Sequence, residues 1–254
     1  MTTTIAISGK GGSGKTTVAA MIIRVLLERA SHEAILAVDA DPNSCLGLML
    51  GISSARTVAD IREEARGKSP SQAGVDKLRS VEYGIQQTMT EAKGFDLLTM
   101  GRPEGPSCYC AVNNMLRRFL DALSSKYQYV VLDNEAGMEH LSRRTTNDVD
   151  LLCIVTEPTY IGRITAGRIA KLAEQLPISV RNTGVIWNKA DSTVDPGHQT
   201  GGMCDLGTVP FDPAVVNASQ DNKSIFELDE NNAAMSAIKE LLGNSLAKLK
   251  VGSA

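Results

Sequence analysis

The segment Thr3-Thr4-Ile5-Ala6-Ile7-Ser8-Gly9-Lys10-Gly11-Gly12-Ser13-Gly14-Lys15-Thr16-Thr17 decides the reading of this chain. Thr3–Ser8 reads as a short strand, and the spacing from Lys15 to Ala30 predicts a helix. Between them Gly9 to Thr16 satisfies G-x-x-x-x-G-K-[ST], in the strand–turn–helix context that gives the pattern its meaning. Glycines let consecutive backbone N–H groups turn inward around phosphate oxygens, and the following helix N-terminus adds positive partial charge. Gly11, Gly12, Ser13 and Gly14 are the expected cradle. Lys15 is expected to reach the β- and γ-phosphates, Thr16 to complete a Mg²⁺ shell, and Thr17 to donate to the α-phosphate.

Working outward, short apolar runs at Ala34–Asp39, Phe95–Met100, Tyr129–Asp133, Leu151–Thr156 and Thr183–Asn188 read as further strands. They alternate with helical patterns at Asn113–Ser124, Ile161–Gln175 and Asn231–Lys250. Strands that are apolar on both faces and separated by helices predict an α/β fold: a doubly wound, mostly parallel sheet with helices on both faces. Gly67–Gly74 and Asp191–Gly202 read as surface loops, so residues 1–254 are expected to form one domain. Met235, Ile238, Leu242, Leu246 and Leu249 make a stripe at helical spacing, with lysines nearby. That stripe lacks Trp and Phe, and Glu240 interrupts the positive charge, so it reads as a helix packed on the sheet rather than a membrane anchor.

Composition narrows the function classes. The chain has 254 residues, 43% hydrophobic and 22% charged, which is ordinary for a globular protein and too apolar for disorder. Lys and Arg number 26 against 29 Asp and Glu, a formal charge of −3 that disfavours nucleic-acid binding as the main task. Runs such as Leu151–Val155 are far too short to span a bilayer, and no secretory signal is visible, so a cytoplasmic protein is expected. Five cysteines in that compartment point to buried thiols or metal ligands rather than disulfides. Cys153 falls inside an apolar strand and reads as core, and Cys45 reads as a packing residue.

Carboxylates and amides sit where such sheets bind ligands, at the carboxyl ends of strands. Val38-Asp39-Ala40-Asp41-Pro42 follows the second strand, and Asp39 is a candidate to support Mg²⁺ directly or through its waters. Val130-Val131-Leu132-Asp133 is an apolar strand ending in a carboxylate, which places Asp133 near Mg²⁺. Asn188-Lys189-Ala190-Asp191 offers an amide for a purine edge. Its pattern also leaves guanine open through Asp191, and Pro210 and Phe211 are expected to wall the base pocket.

Lys10 is the unusual feature, because an ordinary loop of this kind needs one lysine. Lys-Gly-Gly-x-Gly-Lys-Thr resembles the deviant Walker A sequence of MinD/ParA-like P-loop ATPases, and the likeness extends along nearly the whole chain. In that class the early lysine crosses a dimer interface to the partner's nucleotide. The resemblance thus implies a homodimer, with Lys10 and Lys15 both catalytic, ATP as substrate and ADP as product. It also implies that Asp41 orients the attacking water and that the amide of Asn188 contacts adenine.

Cys108-Tyr109-Cys110 places two thiols on one side of an extended segment. One chain then offers two sulfurs, and a two-fold axis at this loop would gather four, a set suited to Zn²⁺, Ni²⁺, Cu⁺ or an iron–sulfur cluster. Ser107–Cys110, Asp133-Asn134-Glu135-Ala136-Gly137-Met138-Glu139-His140, Val155-Thr156-Glu157-Pro158 and Asp41-Pro42-Asn43-Ser44-Cys45-Leu46-Gly47 together resemble the CooC family, the maturation ATPases of carbon monoxide dehydrogenase. That resemblance implies a metallochaperone that assists nickel insertion, with Cys108 and Cys110 as ligands for Ni²⁺ or Zn²⁺ shared across the dimer. An iron–sulfur ATPase of the nitrogenase iron protein type is the first alternative, although residues 134–140 lack the second cysteine of that arrangement. A positioning ATPase of the MinD/ParA type is the second, and the negative charge and weak terminal helix leave membrane and nucleic acid as unexpected partners.

Overall fold

A computed structural model describes residues 2–29, 34–53, 56–66, 83–102, 123, 126–136, 148–176, 178–190 and 203–251. Eight strands form one sheet: β1 (Thr3–Gly9), β2 (Ile35–Ala40), β3 (Met89–Glu91), β4 (Phe95–Thr99), β5 (Tyr129–Asn134), β6 (Asp148–Thr156), β7 (Ser179–Ala190) and β8 (Cys204–Pro210). The described helices are α1 (Lys15–Arg29), α2 (Leu46–Met49), α3 (Val58–Arg66), α4 (Tyr160–Gln175), α5 (Pro213–Gln220) and α6 (Ala233–Val251). The strand order is β3-β4-β2-β5-β1-β6-β7-β8. Every pairing is parallel except that of the edge strand β3 with β4. This is the doubly wound α/β sheet expected from the alternation of apolar runs and helical patterns.

Each central strand feeds two cores, because successive side chains point to opposite faces. Ile5, Ile7, Ile35, Ala37, Val131 and Cys153 join α1 and α6 on one face. Ala6, Leu36, Val38, Leu132, Leu152 and Ile154 join α4 on the other, where Ala166, Ile169 and Ala173 meet them. Strands buried on both sides need no polar alternation, which is why they read as unbroken apolar runs. The stripe on α6 lies in the first core: Met235, Ile238, Leu242 and Leu246 are buried and Leu249 packs against them. Among the described residues no helix is long and apolar enough to cross a membrane.

Some elements escaped the sequence pattern. β8 is broken up by Gly207, at φ +136°, and by shifts in its pairing with β7, so its sequence CDLGTVP has no regular period. β7 extends back to Ser179 through the polar residues Arg181 and Asn182, which are exposed. β3 has three residues, and the short helices α2 and α3 carry too few turns for a periodic signal. The expected helix over Asn113–Ser124 lies outside the described residues, except for residue 123.

Ile22 on α1 is fully buried in the first core. Ile22→Ala is expected to lower unfolding free energy by about 2–5 kcal/mol, through lost transfer energy and the cavity left behind. Urea titration without nucleotide measures it, and a loss well under 1 kcal/mol would show that α1 is not pinned by this face.

Candidate functional site

Parallel pairing brings the carboxyl ends of β1, β5 and β6 to one edge of the sheet, and the loop after β1 turns there into α1. Gly12 and Gly14 take φ values of +79° and +91°, a region costly for residues with a Cβ. At Gly14 space excludes a side chain as well, since a Cβ would stand 2.3 Å from Asn188 Nδ2. The loop closes on one carbonyl: Lys10 O accepts from Ser13 N at 3.2 Å, from Ser13 Oγ at 2.9 Å and from Lys15 Nζ at 3.5 Å. Lys15 is buried at the head of α1, whereas Lys10, Gly11 and Gly12 are exposed. Thr16 and Thr17 are half-buried in the first turn of α1, where backbone N–H groups have no intrahelical acceptor.

Asp39 and Asp133 are register partners on β2 and β5, and both are completely buried. Asp39 is engaged by the turn that follows it: Oδ2 accepts from Leu46 N at 2.8 Å and Oδ1 from Asp41 N at 3.3 Å. Burial pushes its carboxyl up to about 6, while these amides oppose the shift and the Asp41 charge adds to it. The Asp41 carboxylate is half-exposed and oriented by its neighbour, with Oδ1 accepting from Asn43 N and Nδ2 at 2.8 Å each. Neither oxygen of Asp133 has a hydrogen-bond partner among the described residues. Burial pushes Asp133 up to about 7, the Asp39 and Asp41 charges reinforce the shift, and the Thr16 hydroxyl and Lys15 ammonium pull against it.

An orphaned buried carboxylate beside a threonine hydroxyl fits a hard cation that brings its own charge and remaining ligands. Among the described residues no three His, Cys, Asp or Glu side chains converge to hold a metal ion unaided. The donor set therefore suits a magnesium ion carried by phosphate and water rather than an all-protein cage.

Beside the cradle lies a cavity of about 220 Å³ lined by Gly14, Thr17, Asn188, Pro210, Phe211 and Val216, among others. Asn188 Nδ2 donates to Ser13 O at 2.8 Å, which leaves its Oδ1 as an acceptor and the second Nδ2 hydrogen as a donor. Lys189 Nζ donates to Gly12 O at 2.8 Å and to Glu157 Oε1 at 2.9 Å. A larger cavity, about 910 Å³, opens where β2 and β4 begin, at the opposite end of the sheet from all these groups.

Two participants were missed by sequence reasoning. Glu157 holds Lys189, and α5 supplies a wall of the small cavity through Val215, Val216 and Ser219. The helix was legible: Asp212 caps it by accepting from Ala214 N at 2.8 Å, and Pro213 occupies its first turn. Cys108, Cys110, His140 and Asp191 lie outside the described residues. Cys153 is buried as expected, but the packing role expected of Cys45 is corrected: its thiol is exposed, at the start of α2, where Asn43 O accepts from it at 3.5 Å. The short turn between Asp41 and Leu46 holds Cys45 at the rim instead of turning it into the core. Cys204 is exposed on the edge strand β8.

The raised carboxyls set a pH dependence. Unfolded aspartate titrates near 3.8, while the native groups titrate near 6 and 7. Across that interval the native state keeps protons that the unfolded chain has released, so stability falls as pH rises, by up to about 1.4 kcal/mol per pH unit for each group. In EDTA and without nucleotide, Asp133→Asn is expected to flatten this decline. An unchanged pH slope in that variant would contradict the assignment.

The chain matches the CobQ/CobB/MinD/ParA nucleotide binding domain over residues 4–225. It is 39% identical over 244 residues to the ATP-binding protein MJ0685 of Methanocaldococcus jannaschii, covering 93% of this chain and 96% of that protein. It is 32% identical over 259 residues to the carbon monoxide dehydrogenase accessory protein CooC of Rhodospirillum rubrum, covering 94% and 97%. Among solved structures, MinD of Pyrococcus horikoshii complexed with Mg-ADP superposes with a TM-score of 0.71 at 21% identity, over 98% of this chain and 99% of that one. MinD of Aquifex aeolicus gives a TM-score of 0.69 at 24% identity, over 96% and 97%.

Proposed function

Because this chain belongs to the CobQ/CobB/MinD/ParA family of nucleotide-binding ATPases, we propose that it is a nucleotide-switched homodimeric metallochaperone that assists nickel insertion into carbon monoxide dehydrogenase. The end-to-end likeness to the Rhodospirillum accessory protein carries this reading, joined to the thiol pair Cys108 and Cys110. ATP is the substrate, and water attacks its terminal phosphorus to give ADP and phosphate.

Lys15 and the amides of Gly11–Thr16 hold the phosphates, while Thr16 and Asp133, with Asp39 behind them, hold Mg²⁺. When bound there, the ion would supply charge neutralisation to the phosphates. Asp41 orients the attacking water through the oxygen that Asn43 does not hold. Lys10 reaches from each protomer to its partner's nucleotide and stabilises the charge that builds up there. Closure of two protomers brings four thiolates from Cys108 and Cys110 together to hold Ni²⁺ or Zn²⁺ as cargo. ATP and cargo then affect each other's affinity by the same factor. Closure rearranges the loops after Asp41 and Asp133 and so alters the spacing of the four thiolates, which is how occupancy of one site reaches the other.

Lys15→Ala is expected to abolish tight nucleotide binding. Lys10→Ala is expected to keep monomeric binding and lose ATP-dependent dimerisation and most turnover, read by sedimentation and phosphate release. The deciding measurement is metal content of the dimer with and without ATP, beside the Cys108→Ser/Cys110→Ser variant. The variant is expected to bind nucleotide and lose the metal, and stoichiometric metal retained in it would refute the ligand assignment. Iron and sulfide in anaerobically purified protein would replace this reading with a cluster-binding ATPase. ATP-dependent sedimentation with liposomes or DNA would replace it with a positioning ATPase.

A further inference from the structure

Two consecutive residues hold two consecutive carbonyls of the phosphate loop. Lys189 Nζ holds Gly12 O at 2.8 Å, and Asn188 Nδ2 holds Ser13 O at 2.8 Å. In a planar trans peptide the C=O of one residue and the N–H of the next point in opposite directions. Pinning the Gly12 carbonyl toward Lys189 therefore turns the Ser13 N–H to the inside of the loop, where it rests on Lys10 O at 3.2 Å in this structure. Pinning the Ser13 carbonyl does the same for the Gly14 N–H.

The brace is itself held. Thr156 and Trp187 are register partners on β6 and β7, so Glu157, the first residue after β6, lies beside the last residues of β7, Asn188 and Lys189 among them. Glu157 Oε1 then accepts from Lys189 Nζ at 2.9 Å, between side chains that are 44% and 41% exposed. An ion pair so wet adds little stability of its own, so its value is directional: it fixes where the ammonium stands. Lys189 also has φ +54°, a conformation uncommon for a residue with a side chain and retained where the surroundings determine it.

We propose that Lys189 is a positioning residue for the phosphate cradle, aiming the Ser13 N–H at bound phosphate by holding the Gly12 carbonyl outward, with Glu157 holding Lys189. The end of β7 that lines the base cavity and the loop that binds phosphate then move as one unit. This inference rests on nucleotide binding at Gly9–Thr17 and not on the metal or the client, so the failure of either leaves it intact.

The test separates bracing from contact with the base. Pyrophosphate, which has no base, and ATP are titrated calorimetrically with Mg²⁺ into the wild-type protein and into Lys189→Met, Lys189→Arg and Glu157→Gln. Lys189→Met is expected to weaken both ligands by a similar factor, roughly tenfold for loss of a charged hydrogen bond. Lys189→Arg is expected to recover most of the loss for both, and Glu157→Gln to show a smaller loss of the same kind. Circular dichroism checks folding, and if Lys189→Met does not fold the other two variants decide. Weakened ATP with unchanged pyrophosphate would make Lys189 a base contact and overturn the proposal. So would unchanged affinity for both.

Discussion

Parallel pairing of β1 with β5 on one side and β6 on the other is the constraint from which the site follows. Ile7 stands opposite Asp133 and Gly9 opposite Val155, so the phosphate loop, the buried carboxylate and the turn into α4 leave the sheet at one level. A slip of one residue in either register would move Asp133 or Val155 to the wrong face and exchange the side chains that fill the two cores. Burial on both faces makes such a slip costly. The same apolar packing that stabilises the sheet therefore fixes where three unrelated loops meet.

That placement has an electrostatic cost. Asp133 is buried with neither oxygen geometrically hydrogen-bonded among the described residues, and Asp39 beside it is only partly compensated by the amides of Leu46 and Asp41. The neighbouring Lys15 ammonium does not cancel this, because burial dominates both shifts. Without a further cation the edge is less stable than an apolar one of the same shape. Instability localised at the loops that must rearrange lets bound ligand stabilise one arrangement over another.

How much of this was legible varies with the kind of signal. Lys10, Lys15 and Thr16 are tied by short-range spacing, and the strands ending in Asp39 and Asp133 are continuous apolar runs. Both are local patterns that a sequence displays openly. The pairing of Lys189 with Glu157 and Gly12 was not legible, because it joins residues 32 and 177 positions apart through the register of β6 on β7. Cys45 was misread as a packing residue because its exposure is decided by the backbone of the Asp41–Leu46 turn, which no local pattern displays. β8 was missed because Gly207 breaks its period, yet it carries Pro210 into the base cavity.

On the proposed reading the two lysines divide the labour. Lys15 is buried at the head of α1 and its ammonium lies 3.5 Å from the carbonyl of Lys10. That carbonyl also receives the N–H and hydroxyl of Ser13, so the backbone of Lys10 faces into the loop. Its side chain is exposed at the rim. A cation within the cradle serves the nucleotide of its own chain. A cation carried on an exposed stem, with its backbone held fixed, suits a ligand that arrives with another surface. Backbone turned inward and side chain turned outward is the arrangement by which one short loop can serve two nucleotides.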